Sequence, residues 1–124
     1  MRHSFTAAAL LIALATQSHP ADAADPAAGQ AVFKVQCGIC HSVVQGKNMV
    51  GPSLFGIVGR KSGTVEGFRY SAANKSADIT WEAAILDKYL TAPREVVPGT
   101  IMTYAGLKDE TKRADLIAYL ESLH

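Results

Sequence analysis

The chain has 124 residues, with 12 Lys and Arg set against 11 Asp and Glu, for a formal charge of +1. That near-balance excludes a nucleic-acid binder driven by bulk charge. The length fits one small domain, and no internal repeat, low-complexity segment or linker divides it.

The first two dozen residues read as an export signal. Arg2 and His3 make a basic start, residues 5–15 form an apolar run, and Ala21-Asp22-Ala23 offers small residues where a signal peptidase cuts. The run is shorter than the roughly 20 apolar residues that span a bilayer. Residues 1–23 are therefore expected to be a cleaved secretory signal and 24–124 the mature domain, delivered to the periplasm or its equivalent. A retained anchor is the alternative. Cleavage removes Arg2 and Asp22 together, so the mature polypeptide also stays near +1.

Asp25-Pro26 is a helix start, with Asp25 as N-cap and Pro26 in the first turn. The helix should run through Gly29, Phe33 and Lys34 to Cys37-Gly38-Ile39-Cys40-His41. That C-x-x-C-H stretch is the pattern for covalent haem attachment. Two thiols can add across the two vinyl groups on one haem edge, and the adjoining neutral imidazole can bind the iron. Other readings fit less well. A redox dithiol belongs at a helix start in a βαβ pattern, which is missing here. A zinc site needs four ligands, and the chain has two cysteines. A disulfide between Cys37 and Cys40 would close too small a loop to be a natural staple.

Residues 42–69 carry Gly46, Gly51, Gly56, Gly59, Gly63 and Gly67 and read as one extended loop. Such a loop is uncommon in a small domain unless it wraps something large, which a haem would be. A short helix is expected over residues 71–77. Thr80 is expected to cap the next helix, where Ile85, Leu86, Tyr89 and Leu90 form a stripe that Pro93 ends. After a turn at Pro98-Gly99 comes a last helix over about residues 109–123, with Leu116, Tyr119, Leu120 and Leu123 along one face. Ordinary core packing accounts for those stripes. No stretch alternates as a strand does. The expected fold is all-α and compact, with four to five helices and long loops wrapped around one covalently bound haem.

One histidine leaves the sixth iron position to be filled, and its occupant decides function. An open site would favour gas binding or peroxidase chemistry; a second protein ligand would favour electron transfer. His124, Met49 and Met102 are the available donors. Met49 lies eight residues after His41 on the same connection, and His124 is a chain terminus prone to fray. Met102, in Pro98-Gly99-Thr100-Ile101-Met102, sits in a turn able to hold its sulfur over the distal face.

From Gly29 to Leu120 the chain resembles class I cytochrome c, in its soluble mitochondrial and proteobacterial form. The matching stretches are Cys37 to His41, Gly51-Pro52-Ser53-Leu54-Phe55-Gly56, Gly59-Arg60-Lys61-Ser62-Gly63 and Tyr70-Ser71-Ala72-Ala73-Asn74-Lys75. They continue with Trp81, Tyr89-Leu90, Pro98 to Met102 and Arg113-Ala114-Asp115-Leu116-Ile117-Ala118-Tyr119-Leu120. The resemblance implies a soluble, monomeric one-electron carrier rather than an enzyme, with haem c bound through Cys37 and Cys40 and its iron held by His41 and Met102. It implies that the Pro52 carbonyl accepts a hydrogen bond from His41, and that Arg60, Tyr70 and Trp81 reach the propionates. Tyr89 would bond near the Met102 sulfur, Asn74 and Thr100 would hold an internal water, and Gly29 and Phe33 would pack on Leu116 and Tyr119.

The implied partners are redox proteins: a membrane-bound reductase, an oxidase, a reaction centre or a periplasmic dehydrogenase. Contact with a membrane surface would be transient. The sequence departs from many relatives in its charges. Ile101 stands where they carry lysine before the methionine, Gln36 adjoins Cys37, and Glu95 and Asp109 are acidic, although Arg94 and Lys108 remain. Docking is therefore expected to depend less on positive steering than in strongly basic relatives.

Overall fold

The computed structural model describes residues 23–124, so the expected leader, all but its last residue, lies outside the described residues. Among these, five helices and no strand are present, as the hydrophobic patterning predicts. Helix α1 spans Pro26–Gln36; the Asp25 carboxylate accepts from the Ala27 amide at 2.9 Å, and Pro26 opens the first turn. At its other end the amides of Cys37 and Gly38 both donate to the Phe33 carbonyl at 2.8 Å. The first cysteine is thus held at the C-terminus of a capped helix.

Helix α5 spans Glu110–Glu121, and its N-cap Asp109 accepts from the Lys112 amide at 2.9 Å. Its most extensive helix partner is α1. The two backbones come into contact at Gly29, where an added Cβ would stand 1.9 Å from the Asp115 carbonyl oxygen and 2.9 Å from the Tyr119 Cβ. Any larger side chain would push the helices apart. Phe33 and Tyr119 then meet with ring centroids 5.6 Å apart and the rings tilted by 59°, and the Asp25 amide donates to the Asp115 carboxylate at 2.8 Å. Leu116, fully enclosed, is the centre of this packing.

Helix α2 spans Ala72–Ser76 under a Ser71 cap, α3 spans Ala83–Thr91 and α4 spans Pro93–Val96. Two expectations need correction here. Thr80 does not cap α3; Glu82 holds the N-cap position without a side-chain bond. Thr80 instead pairs with Lys61 in an isolated antiparallel bridge, reinforced by the Trp81 amide donating to the Arg60 carbonyl at 2.9 Å. Backbone pairing with a distant segment has taken the residue that local chemistry marked as a cap. Pro93 does more than end α3: with no amide hydrogen to satisfy, it opens α4.

The loop over residues 42–69 has almost no regular structure, yet its backbone is well bonded. Leu54 donates to the Ser42 carbonyl, Gly56 to Leu123, Gly59 to Trp81 and Ser62 to Ile79, at 2.6 to 2.9 Å. The buried Ser53 hydroxyl adds a bond to the Val44 carbonyl at 2.7 Å. Among the described residues no buried side-chain nitrogen or oxygen lacks a partner, which is what a folded rather than merely collapsed loop requires.

The segment from Val97 to Asp109 crosses back over α3 and is clamped at its far end. Gly106 has φ 118°, and a Cβ there would stand 2.2 Å from the Thr91 carbonyl. Leu107 donates to the Leu90 carbonyl at 2.7 Å. The buried Arg113 of α5 donates to the Asp87 carboxylate at 2.6 Å and to the Leu107 carbonyl at 3.0 Å. One guanidinium therefore joins α5, α3 and the incoming loop.

Candidate functional site

Between the 37–70 segment, α3 and the 100–105 segment lies a cavity of about 530 Å³, within the size range of small-molecule and cofactor pockets. Every residue singled out from the sequence as a site residue lines it: Cys37, Cys40, His41, Pro52, Arg60, Tyr70, Asn74, Trp81, Tyr89, Thr100 and Met102. Leu54, Ile57, Leu86, Leu90 and Leu120 make the rest of the lining strongly apolar. Met49 and His124, the rejected ligand candidates, do not line it, and both are exposed.

His41 follows the cysteines in a tight turn, where the amides of Cys40 and His41 both donate to the Cys37 carbonyl at 3.0 Å. Its Nδ1 lies 2.8 Å from the Pro52 carbonyl, so Nδ1 carries the proton and Nε2 is left as the lone-pair donor. Burial lowers the imidazole below its usual pKa; the Pro52 bond opposes this and the Arg60 charge adds to it. The ring therefore stays neutral, the form that binds metal. Gly51 holds it in place, since an added Cβ there would stand 2.2 Å from Cε1 and 2.8 Å from Nε2. Cys37 and Cys40 are not joined in a disulfide, so both sulfurs are available for attachment.

Met102 is reached by a different route. The buried Tyr89 hydroxyl of α3 donates to its sulfur at 3.8 Å. Its own amide donates to the Thr100 hydroxyl at 3.3 Å, and that hydroxyl donates to the Asn74 side-chain oxygen at 3.1 Å. Ser71, the cap of α2, donates to the same oxygen at 2.9 Å. Burial raises the Tyr89 pKa, while Thr100 and Asn74 pull it partly back; the phenol remains a neutral donor. At the polar end, Arg60 donates to the Phe55 carbonyl at 3.1 Å, and the Tyr70 hydroxyl accepts from the Val65 amide at 3.0 Å. Trp81 packs against Tyr89 with centroids 4.6 Å apart and the rings tilted by 50°.

The geometry thus gathers two thiols, a neutral imidazole and a thioether in one apolar cavity. The cytochrome c family model matches residues 26–124. A cytochrome c2 of Blastochloris viridis is 50% identical over 115 residues, covering 92% of this chain and 90% of the relative. A cytochrome c2 of Rhodopila globiformis is 50% identical over 99 residues, 80% of this chain and 93% of the relative. A cytochrome c of Euglena viridis is 48% identical over 99 residues, 80% and 97% respectively.

The chain belongs to the cytochrome c family.

Cytochromes c are electron carriers, not enzymes, and bind haem c covalently. The chain fits that cofactor on its own chemistry. Cys37 and Cys40 complete the attachment motif, the cavity is apolar enough for a macrocycle, and its donors suit iron. Several lining or supporting residues escape a reading of the sequence. Tyr104 lines the cavity and donates to the Gln36 side chain at 2.9 Å, tying the segment after Met102 to the residue before Cys37. Phe68 stands edge-on to Tyr70 at 4.8 Å. Gly51 belongs to a family stretch, but nothing local shows that a histidine ring packs on it. An aromatic or a glycine in a loop carries no local mark of the distant group it meets.

Proposed function

We propose that this cytochrome c is a soluble periplasmic one-electron carrier whose haem iron is held by His41 and Met102. The observation that carries the reading is the shared cavity: Met102, positioned by Tyr89 and Thr100, lines the same space as His41, whose Nδ1 is taken up by Pro52. When bound, the haem iron passes between two oxidation states and so carries one electron.

The residues make that cycling easy. Pro52 fixes the tautomer of His41 and raises its basicity as a ligand. Tyr89, Thr100 and Asn74 hold the sulfur in one orientation, so little has to move on electron transfer. A thioether and an apolar lining stabilise the extra charge of Fe(III) poorly, which favours the reduced form. Arg60, Tyr70 and Trp81 line the cavity and would hydrogen-bond the propionates of a bound haem, since buried charge needs such partners.

The leader reading supplies the compartment. The B. viridis match covers 92% of this chain and so takes in part of the sequence ahead of residue 23. Among the described residues no helix is long and apolar enough to cross a membrane. Residues 1–23 are taken as a cleaved signal and 24–124 as a monomeric domain that meets a membrane-bound reductase, oxidase, reaction centre or periplasmic dehydrogenase. The runner-up, a peroxidase or gas sensor with an open sixth site, lacks such support, because Met102 already lines the cavity.

A redox-titrated optical spectrum tests the reading. Reversible one-electron cycling with the weak near-infrared band of sulfur–iron ligation is expected. Rapid carbon monoxide binding by the native reduced protein would sink it. Mass spectrometry of protein recovered from the periplasm checks cleavage after Ala23.

A further inference from the structure

Met102 sits on a strap of chain that is fastened at both ends and bare between them. Thr100 donates its amide to the Val97 carbonyl at 3.1 Å, and Leu107 donates to the Leu90 carbonyl at 2.7 Å. Among the described residues, no amide or carbonyl of residues 101–106 pairs with another backbone group. The Met102 amide bonds to the Thr100 hydroxyl, two residues back in the same stretch. Ile101, Thr103 and Ala105 face water. Side chains therefore have to keep the strap closed over the cavity.

Among the described residues, two side-chain bonds from residues 101–106 reach other elements. Tyr89 of α3 donates to the Met102 sulfur. Two residues further on, the Tyr104 hydroxyl donates to the Gln36 side-chain oxygen at 2.9 Å, across 68 residues of sequence. Gln36 is the last residue of α1 and adjoins Cys37. It both lines the cavity and faces water, so the bond crosses the cavity mouth. The strap that carries the sulfur is thus tied to the stretch that attaches the haem. Without that tie the free span grows from residues 101–103 to residues 101–106, and a longer span has more open conformations to offer.

We propose that Tyr104 and Gln36 are positioning residues for Met102. Their hydrogen bond is a latch that holds the strap shut and keeps small neutral bases away from the iron. This rests on the Met102 ligation reading above.

Imidazole added to the ferric holoprotein is the probe. Its affinity is read from loss of the near-infrared sulfur band, and stopped flow gives the rate at which binding levels off at high imidazole. That plateau is the rate at which the strap opens. Tyr104→Phe keeps the ring and removes the donor; Gln36→Leu keeps the bulk and removes the acceptor. Each should raise affinity and plateau about threefold, as fits the loss of one solvent-exposed hydrogen bond. The double variant should do no more than either alone, because both changes remove the same bond. Gln36→Glu keeps an acceptor oxygen and should behave as the native protein does. All four should fold, since Gln36 is exposed and Tyr104 half-buried.

Single variants with the native affinity and plateau overturn the proposal, as does a double variant whose two effects multiply. A glutamate variant that opens as readily as the leucine one also overturns it. A native ferric protein without the sulfur band instead overturns the Met102 reading, and the latch with it.

Discussion

The two sides of the cavity are built in different ways. The His41 side is made from one short stretch of chain. The motif places the ring, Pro52 bonds it from 11 residues away, and Gly51 leaves no room for a side chain beside it. The Met102 side is assembled from distant parts: Tyr89 is 13 residues from Met102, and Asn74 is 26 from Thr100. Its bonds are also longer, 3.8 Å to the sulfur and 3.3 Å at the Met102 amide, against 2.8 Å at His41. A side chain held by adjacent chain keeps its place while neighbouring elements shift. One held across three elements depends on all of them, so the methionine side should give way first.

The largest effect is expected from Gly51→Val. Its side chain would overlap the His41 ring, and the locally built side has no slack; a loss of about 3 kcal/mol or more is expected. Denaturant melts of the holoprotein check it, and near-native stability would mean that the histidine side is not tightly packed. Met102→Ala should cost about 2 kcal/mol or somewhat more. The haem should stay attached while the near-infrared sulfur band disappears, the potential falls and carbon monoxide binds. An unchanged spectrum would remove Met102 from the iron.

Thr100→Val should cost about 1 kcal/mol, through the hydrogen bonds to Asn74 and the Met102 amide. The sulfur band should then vanish at lower denaturant concentration than in the native protein, while the attached haem and its histidine ligation persist. If both signals moved together, the two sides would be one cooperative unit and the contrast would fail. Lys61→Ala is the smallest expected change. Both it and its partner Asp78 are mostly solvent-exposed, so neither side should respond measurably.

Much of this was legible without a structure, and the reason is the short range of the signals. Asp25-Pro26 marks a helix start because a cap acts within three residues, and Asp25 accepts the amide bond expected of it; Ser71 and Asp109, where helices were expected to begin, also cap them. Thr80 failed for the opposite reason: a strand-like bridge to Lys61, invisible locally, outweighed its capping preference. Helix α4 was missed because Pro93 was read as a stop without its second use as a start. Arg113 lies in a family stretch, but its bonds to Asp87 and Leu107 join three elements that no local pattern connects.

Sequence alone determined the cofactor, since C-x-x-C-H is chemistry complete within five adjacent residues, and it determined the main helices through capping and apolar spacing. Tertiary structure decided what surrounds that chemistry. It seated His41 on Gly51, brought Tyr89 and Thr100 to Met102, and set Ile39, Val50 and Ile101 along the cavity while leaving them exposed. Those groups come from separate stretches of the chain, so only the packing of α1 on α5 and the folding of the loops between them sets their positions.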